Sequence, residues 1–394
     1  MTAADTREAT LPRLALVGIF GGLFAGYVGL TAVIPVLPAF LRERHHSGDL
    51  VVGLVVTVTA VTALLVRPVA GSLADRYGHR AVMLVGALVV ATGGLLYLAP
   101  LGVPALVTVR LLLGTGEAAL FTAGAVWTVH LAPHHRRGQL IGLYGVSMWG
   151  GISAGTFLGA TVGQFGYPAV WALAAAAPLL AAALVALVPA PARTVPPSRG
   201  GGLLLRPALA PGVALAFGAA GYAGLAAFVV LHLDARGIGS GVLVLSCFSA
   251  VYAGTRLVIG HLPDRLGPRR VAAWCGVGEA FGLLVIAVAP NLPIAVAGSI
   301  VMGIGFSLLH PSLALMVMNR ADPARQGAAI GAYTSFWDLG LAVWGPVTGL
   351  VAAGLGYPAV FAAGAACAAV AAVMALRIGR LEPHAAAERS EVVA

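Results

Sequence analysis

The chain has 394 residues, of which 59% are hydrophobic and only 9% are charged, and its formal net charge is +9. Soluble domains carry roughly 25% charged residues, so this composition excludes a soluble globular fold and favours a protein that lies in a lipid bilayer. Every basic residue is Arg, and most of them fall in short segments between apolar stretches. That pattern indicates membrane topology, so the bilayer is an expected partner and nucleic acid is not.

Twelve apolar stretches follow one another along the chain, and each is long enough to cross a bilayer as a helix, for which about 20 residues suffice. They are predicted at 14–40, 50–70, 81–99, 104–131, 139–161, 168–189, 211–233, 242–260, 271–289, 293–318, 328–353 and 357–379. No stretch shows the alternation of a transmembrane strand. The predicted fold class is therefore an all-α membrane protein with twelve transmembrane helices.

The basic residues also predict the orientation of these helices. If the N-terminus is cytoplasmic, most of the Arg residues lie in cytoplasmic segments, and only Arg42, Arg44 and Arg236 lie in segments on the other side. Positive charge is enriched on the cytoplasmic side of membrane proteins. Both termini are therefore expected in the cytoplasm.

Two parts of the chain repeat each other. The string GSLADRYGHR at 71–80 returns as GHLPDRLGPR at 260–269, and GYPAV at 166–170 returns at 356–360. At the same spacing as the first pair, Arg67 corresponds to Arg256. A parallel repeat of six helices is typical of transporters, whose substrate site lies near the membrane midplane between the halves.

The repeat also predicts the domain organisation. The predicted parts are an N-terminal six-helix bundle at 1–189, a Pro-, Gly- and Arg-rich cytoplasmic linker at 190–210, a C-terminal six-helix bundle at 211–380 and a cytoplasmic tail at 381–394.

Three motifs resemble those of one transporter family. RPVAGSLADRYGHR (67–80) resembles the loop 2–3 signature of the major facilitator superfamily, Gly-x-x-x-Asp-Arg-x-Gly-Arg-Arg. RLLLGTGEAA (110–119) resembles the helix 4 pattern Arg-x-x-x-Gly-x-Gly of its proton-coupled members. GISAGTFLGA (151–160) resembles the helix 5 antiporter pattern Gly-x-x-x-Gly-Pro-x-x-Gly-Gly, although Thr156 replaces the Pro and Ala160 the last Gly. Within the superfamily, the chain looks most like twelve-helix bacterial drug or sugar efflux permeases, which are proton antiporters.

The resemblance implies two pseudo-symmetric six-helix bundles that alternate access to a central small-molecule site. It implies a monomer in the bacterial inner (cytoplasmic) membrane. It also implies that protons are the second partner and that the proton gradient is the energy source, with no cofactor and no metal. The chain is not expected to be an enzyme, because no nucleophile and base stand at a suitable spacing.

The repeated charged segment has two interpretations. The resemblance makes it a conformational latch that holds the cytoplasmic side closed, and the alternative is a solvated basic turn that serves topology alone. Acidic side chains are scarce on this face, and they can meet a helix N-terminus or an Arg. The latch candidates are Gly71, Asp75, Arg76, Gly78 and Arg80 in the first copy and Gly260, Asp264, Arg265 and Arg269 in the second.

Charged residues within the predicted spans are candidates for proton coupling, because a charge at the centre of a membrane helix costs about 2.5–3.5 kcal/mol. Glu117 and Arg110 lie seven residues apart on one helix face, which the resemblance turns toward the central cavity. Asp338 in helix 11 is the second candidate acid. A structural role is the alternative for each of the three, and it is favoured for Glu279 in helix 9.

Five further side chains are candidates for lining the substrate cavity. They are Tyr27, Trp149, Tyr222, Trp337 and His310. Packing or interfacial anchoring is the alternative for the aromatic residues, and a hydrogen bond at a helix kink is the alternative for His310.

These features together predict a secondary active transporter that exports a small organic molecule in exchange for protons. Proton-coupled nutrient uptake is the alternative that the same carboxylates support. A non-transporting membrane receptor or enzyme is a distant third.

Overall fold

The computed structural model of the chain describes residues 3–99, 102–131, 137–189, 206–321 and 326–378. The described residues form no β-strand, and nearly all of them lie in helices. The helices are α1 (Ala3–Ala32), α2 (Leu37–His45), α3 (Asp49–Thr57), α4 (Thr59–Tyr77), α5 (His79–Leu96), α6 (Val103–Leu131), α7 (Arg137–Val162), α8 (Tyr167–Leu187), α9 (Arg206–Ala235), α10 (Gly241–Ile259), α11 (Leu262–Leu266), α12 (Pro268–Val288), α13 (Leu292–Arg320), α14 (Gln326–Leu355) and α15 (Tyr357–Ile378).

The helices account for the twelve predicted membrane crossings. Eleven helical segments within the described residues are long and apolar enough to span a bilayer, and two of these segments combine α1 with α2 and α3 with α4. The twelfth crossing is α7, a helix of 26 residues in which Gly, Ser and Thr replace many of the apolar side chains. The predicted all-α membrane fold with twelve helices is confirmed.

The first two crossings each contain a break. Residues 33–36 form a turn between α1 and α2, because Pro35 has no N–H group to continue the helix and its ring clashes with the carbonyl group one turn earlier. The second crossing is interrupted at Val58, between α3 and α4.

The charged segment at 71–80 differs from the prediction in its extent. Gly71 lies inside α4, which continues to Tyr77, whereas the second apolar stretch is predicted to end at residue 70. The chain reverses at Gly78 alone, whose φ of 98° is unfavourable for residues with a Cβ atom. Gly267 forms the equivalent turn in the second copy, with a φ of 86°.

The structure shows only the end of the segment predicted as linker. The linker was expected to end at residue 210, but α9 already begins at Arg206. Residues 190–205 of the predicted linker and the predicted tail at 381–394 lie outside the described residues.

The two six-helix bundles have the same internal arrangement. In the first bundle α1 packs against α7 and α8, and in the second α9 packs against α14 and α15. One hydrogen bond is repeated as well. The Tyr144 hydroxyl donates to the carbonyl oxygen of Phe121 at 2.6 Å, and the Tyr333 hydroxyl donates to that of His310 at 2.8 Å.

The bundles contact each other mainly along two pairs of crossings. The second crossing (α3 and α4) packs against α14, and α7 packs against α10. We call the two membrane faces the Gly48 end, with the turns at Gly48, Gly166 and Gly356, and the Gly78 end, with the turns at Gly78 and Gly267.

The bundles are joined at the Gly48 end. Arg42 donates to the hydroxyl group of Tyr357 at 2.9 Å, and that hydroxyl donates to Asp49 at 3.2 Å. Close by, Gly53 of α3 lies directly against Gly345 and Gly349 of α14, where a Cβ atom would have no space. This arrangement closes the central region toward the Gly48 end.

Candidate substrate and proton site

A small cavity lies between the two bundles, near the middle of the helices. Its volume is about 40 Å³, and one water needs at least ~10–15 Å³, so it accommodates roughly three waters. Both bundles contribute to it, and its lining residues are Tyr27, Arg67, Glu117, Phe121, Met148, Trp149, Ile152, His310, Thr334 and Trp337. The cavity is thus a central site between the bundles, smaller than an organic substrate would need.

The cavity collects most of the side chains that the sequence suggested for coupling and for substrate contact. Tyr27, Glu117, Trp149, His310 and Trp337 all line it, although they come from five different helices. Their roles in proton and substrate binding stay predictions.

Glycine packing places Tyr27 at the cavity. Gly151 and Gly155 of α7 lie directly against the backbone of α1, where a Cβ atom would clash with Phe24 or Val28. Small residues at four-residue spacing allow such close helix contacts in membranes. The Tyr27 hydroxyl then donates to the Glu117 carboxyl group, with an O–O distance of 3.1 Å.

A buried salt bridge joins the bundles beside the cavity. Arg67 on α4 donates to both oxygens of Asp338 on α14, at 2.5 and 3.1 Å. The side chains are only 10% and 2% exposed. The Arg67 guanidinium also lies over the Phe121 ring, 4.7 Å from its centroid. Asp338 therefore holds a cation from the other bundle.

Arg67 was not among the candidate site residues, although the sequence contains a signal for it. It is a charged residue within a predicted span, and the insertion cost that singled out Glu117 and Asp338 applies to it equally. Its position before the repeated charged segment made it look like part of the loop signature.

Arg110 lies elsewhere than the sequence suggested. It is absent from the cavity lining and is 3% exposed. It donates to the carbonyl oxygens of Val55, at 2.9 Å, and Val56. The break at Val58 leaves these carbonyl groups without helical partners. Arg110 thus stabilises a broken helix, and its role in proton coupling stays a prediction.

An aromatic cluster forms one wall of the site. The rings of Trp149 and Trp337 are 5.5 Å apart, and Trp149 also contacts Tyr252 at 4.5 Å. Tyr222 does not line the cavity but stands behind it, 5.6 Å from Trp337 and stacked on Phe306 at 6.0 Å. Sequence reasoning missed Phe306, Phe121 and Tyr252 as parts of this region, because nothing in a single helix shows which aromatic side chains converge.

Two hydrogen-bond donors at the cavity have no partner within the described part of the chain. They are Nη1 of Arg67 and Nε1 of Trp149. Unpartnered buried donors are unfavourable, so both are available to water or to a bound molecule. The site therefore combines aromatic walls with donors and one carboxyl group.

The latch candidates lie at the Gly78 end, away from the cavity. Asp75 faces His79 of its own bundle at 4.0 Å. Arg80 donates to the carbonyl oxygen of Ala186, also in its own bundle. Asp264 and Arg265 are exposed on the short helix α11, and Arg269 follows in α12. The latch interpretation stays a prediction, and the contacts seen here lie within each half.

Comparisons with known proteins agree with this architecture. The family model described as Major Facilitator Superfamily matches residues 19–245 and 212–393. The MFS-type transporter YhhS of Escherichia coli strain K12 is 32% identical over 383 residues, which cover 94% of each chain. An MFS-type transporter of Burkholderia mallei strain SAVP1 is 30% identical over 381 residues, covering 93% of this chain and 91% of the relative.

Solved structures share the fold. The nucleoside transporter NupG superposes with a TM-score of 0.70 at 15% identity, covering 93% of this chain and 99% of NupG. A bacterial homologue of the human lysosomal transporter Spinster, in an inward-facing and occupied conformation, gives a TM-score of 0.74 at 17% identity, covering 93% and 96%. Family match, relatives and fold agree that the chain belongs to the major facilitator superfamily of membrane transporters.

Proposed function

We propose that this transporter exports a small organic molecule in exchange for protons, with Glu117 as the group that binds and releases the proton. The observation that carries the proposal is the position of Glu117. Its carboxyl group lines the cavity between the two bundles and accepts a hydrogen bond from Tyr27. A carboxyl group whose access to water changes with the bundles can take up a proton on one side and release it on the other.

The proton gradient is a sufficient energy source for this task. The chain contains no Gly-x-x-x-x-Gly-Lys-Ser/Thr motif for binding nucleotide phosphates. One proton moving down 100 mV releases about 2.3 kcal/mol. At about 1.4 kcal/mol per decade, this supports roughly a fifty-fold substrate gradient.

The lining of the cavity indicates the general chemistry of the substrate. Trp149, Trp337 and Phe121 line the cavity with aromatic side chains, which suit an aromatic or apolar body. The free donors on Arg67 and Trp149 suit oxygen or nitrogen acceptors on the same molecule. Because the present cavity holds only a few waters, substrate binding requires the bundles to separate.

Proton-coupled uptake is the second candidate, and one observation favours it. Thr156 stands where the antiporter pattern has Pro. Its hydroxyl donates to the carbonyl oxygen of Ile152 at 2.9 Å, within an unbroken α7. Helix 5 therefore lacks the break that a Pro would introduce.

A screen in cells that lack their own efflux pumps tests both directions. Cells that express the chain are compared with cells that express Glu117→Gln, over a library of labelled small molecules. Export predicts lower steady-state content of at least one compound with the wild-type chain and no such lowering with the variant. Higher content would favour uptake. If no compound is moved in either direction although both chains are inserted, the transport proposal is contradicted and a receptor becomes the better interpretation.

A further inference from the structure

We propose that Arg67 couples the proton to the movement of the bundles by passing its salt bridge from Asp338 to Glu117 when Glu117 releases its proton. This inference rests on the proposed function, in which Glu117 binds the proton. Arg67 acts here as a positioning residue: it moves no proton itself, and it joins or separates α4 and α14.

The first observation is that, within the described residues, Arg67 is the cation beside both carboxyl groups that is not held by backbone carbonyl groups. Arg67 is bound to Asp338 in the present arrangement, while Glu117 has the Tyr27 hydroxyl. Arg110 cannot serve Glu117 in the same way, because it donates to the carbonyl groups of α3. A neutral Glu117 needs no cation in this arrangement, whereas a carboxylate in the protein interior without a cation is strongly unfavourable.

The second observation is that Arg67 is within reach of Glu117. Both side chains line the same cavity. The Arg67 guanidinium lies over the ring of Phe121, which is four residues after Glu117 and therefore on the same face of α6. The Nη1 atom of Arg67 has no hydrogen-bond partner within the described ranges. The proposed transfer requires this donor to turn within the shared cavity toward the Glu117 carboxylate.

The other groups that surround Glu117 do not provide an alternative cation of this kind. The titratable and charged groups near it on the neighbouring helices are Tyr27 on α1, Arg67 on α4, Tyr144 on α7, Tyr222 on α9, His310 on α13 and Asp338 on α14, with Arg110 on its own helix. Of the two Arg residues in this set, only Arg67 has an unpartnered donor at the cavity.

The transfer has a mechanical consequence. The Arg67–Asp338 salt bridge crosses from the first bundle to the second, whereas an Arg67–Glu117 salt bridge lies within the first. Release of the proton therefore removes the two hydrogen bonds by which Arg67 and Asp338 join the bundles. Proton binding restores that link and favours the arrangement seen here, which is closed at the Gly48 end.

The experiment measures bundle separation in the full-length chain in lipid nanodiscs. Spin labels are attached at Phe165→Cys and Leu355→Cys, two exposed positions at the Gly48 end of different bundles, after Cys247, Cys275 and Cys367 are replaced by Ala. Double electron–electron resonance gives the fraction with the short label distance from pH 5.5 to pH 8.5. For the unmodified site we expect the ratio of closed to open molecules to fall by about tenfold as pH rises, a typical size for coupling between sites.

Neutralising the two acids should give opposite results. Glu117→Gln leaves Arg67 on Asp338, so the ratio of closed to open molecules should stay at its low-pH value at every pH. Asp338→Asn removes the link, so the molecules stay biased toward the open form at every pH. Arg67→Gln should behave like Asp338→Asn, while Arg67→Lys should restore part of the pH response.

Arg256→Gln is the matched control. Arg256 is the repeat equivalent of Arg67, but it donates to the Tyr252 hydroxyl at 2.8 Å, so this variant should keep the full pH response. If Glu117→Gln loses the response and both Asp338→Asn and Arg67→Gln keep it, the transfer is wrong and the role of Glu117 stands. If Glu117→Gln keeps the response, the proposed function itself is contradicted. Should Asp338→Asn fail to insert, Arg67→Gln decides the same question.

Discussion

Three charged residues lie near the middle of the membrane helices, namely Arg67, Glu117 and Asp338. They illustrate what a sequence reveals about single residues. The insertion cost of a charge identifies Glu117 and Asp338 as candidate functional residues from the sequence alone. The scarcity of aromatic residues does the same for Tyr27 and Trp149. The sequence does not show which residues these side chains contact. Arg67 meets Asp338 across 271 positions of sequence, and only the packing of α4 against α14 brings them together.

Arg110 shows a second reason why residue roles escape prediction. Arg110 donates to backbone carbonyl groups that the break at Val58 leaves without helical hydrogen bonds. No sequence pattern predicts that break. The same charge rule also singled out Glu279, which is fully buried in α12 and lies apart from the cavity lining.

Replacing Arg110 tests its structural role. Arg110→Leu removes charge-assisted hydrogen bonds to two carbonyl groups, which are worth about 1.5–3 kcal/mol each. We expect a lower melting temperature of the purified protein, measured by the fluorescence of a thiol-reactive dye. Arg236→Leu is the control, since Arg236 also donates to a backbone carbonyl oxygen, that of Ala287 at 3.0 Å, but is itself exposed. Equal melting temperatures for Arg110→Leu and the unmodified chain would contradict this role.

At the scale of elements, the helices and their order were predictable because long apolar stretches leave few alternatives in a bilayer. Helix ends were less predictable. The polar residues of the segment at 71–77 suggest a loop, yet α4 continues through them to Tyr77. The helix continues because no residue in the segment breaks it and because the membrane surface tolerates charged side chains. Helix α2 was not foreseen as a separate element.

The two copies of GYPAV provide a matched pair of variants for the closure at the Gly48 end. The Tyr357 hydroxyl forms hydrogen bonds with Arg42 and Asp49 in the other bundle. The Tyr167 hydroxyl instead donates a hydrogen bond to Glu43 in its own bundle, at 2.7 Å. A hydrogen bond to a charged group contributes about 1.5–3 kcal/mol. Tyr357→Phe should therefore lower the ratio of closed to open molecules by at least about tenfold at 1.4 kcal/mol per decade.

Label distances at the Gly48 end measure this effect. Tyr167→Phe makes the same chemical change without touching the contact between bundles, so it should leave the distance distribution as it is. If both variants shift the distribution equally, the closure does not depend on the contact of Tyr357 with the first bundle.

At the scale of the whole molecule, the repeat predicted more than any single motif. It indicated two bundles of like construction, and the equivalent hydrogen bonds of Tyr144 and Tyr333 show how closely they correspond. The internal symmetry is broken where function is expected. The position equivalent to Asp338 is Trp149, so one of the two interfaces between bundles holds a salt bridge and the other holds aromatic rings.

The orientation in the membrane is tested by labelling. Tyr77 and Leu266 are exposed, equivalent positions at the Gly78 end. In intact cells, a membrane-impermeant maleimide should leave both Tyr77→Cys and Leu266→Cys unlabelled and should label Arg42→Cys. Reaction of the first two from outside would reverse the predicted orientation, and opposite results for Tyr77→Cys and Leu266→Cys would contradict the parallel repeat.

The central claim is that Glu117 connects proton movement to substrate movement. The most direct measurement uses purified protein in proteoliposomes, with the compound that gives the strongest signal in the cell screen. An imposed pH gradient should drive accumulation of that compound by the unmodified chain. Glu117→Gln should lose this accumulation while still exchanging labelled for unlabelled compound in the absence of a gradient. Accumulation by Glu117→Gln in response to the same pH gradient would contradict the account.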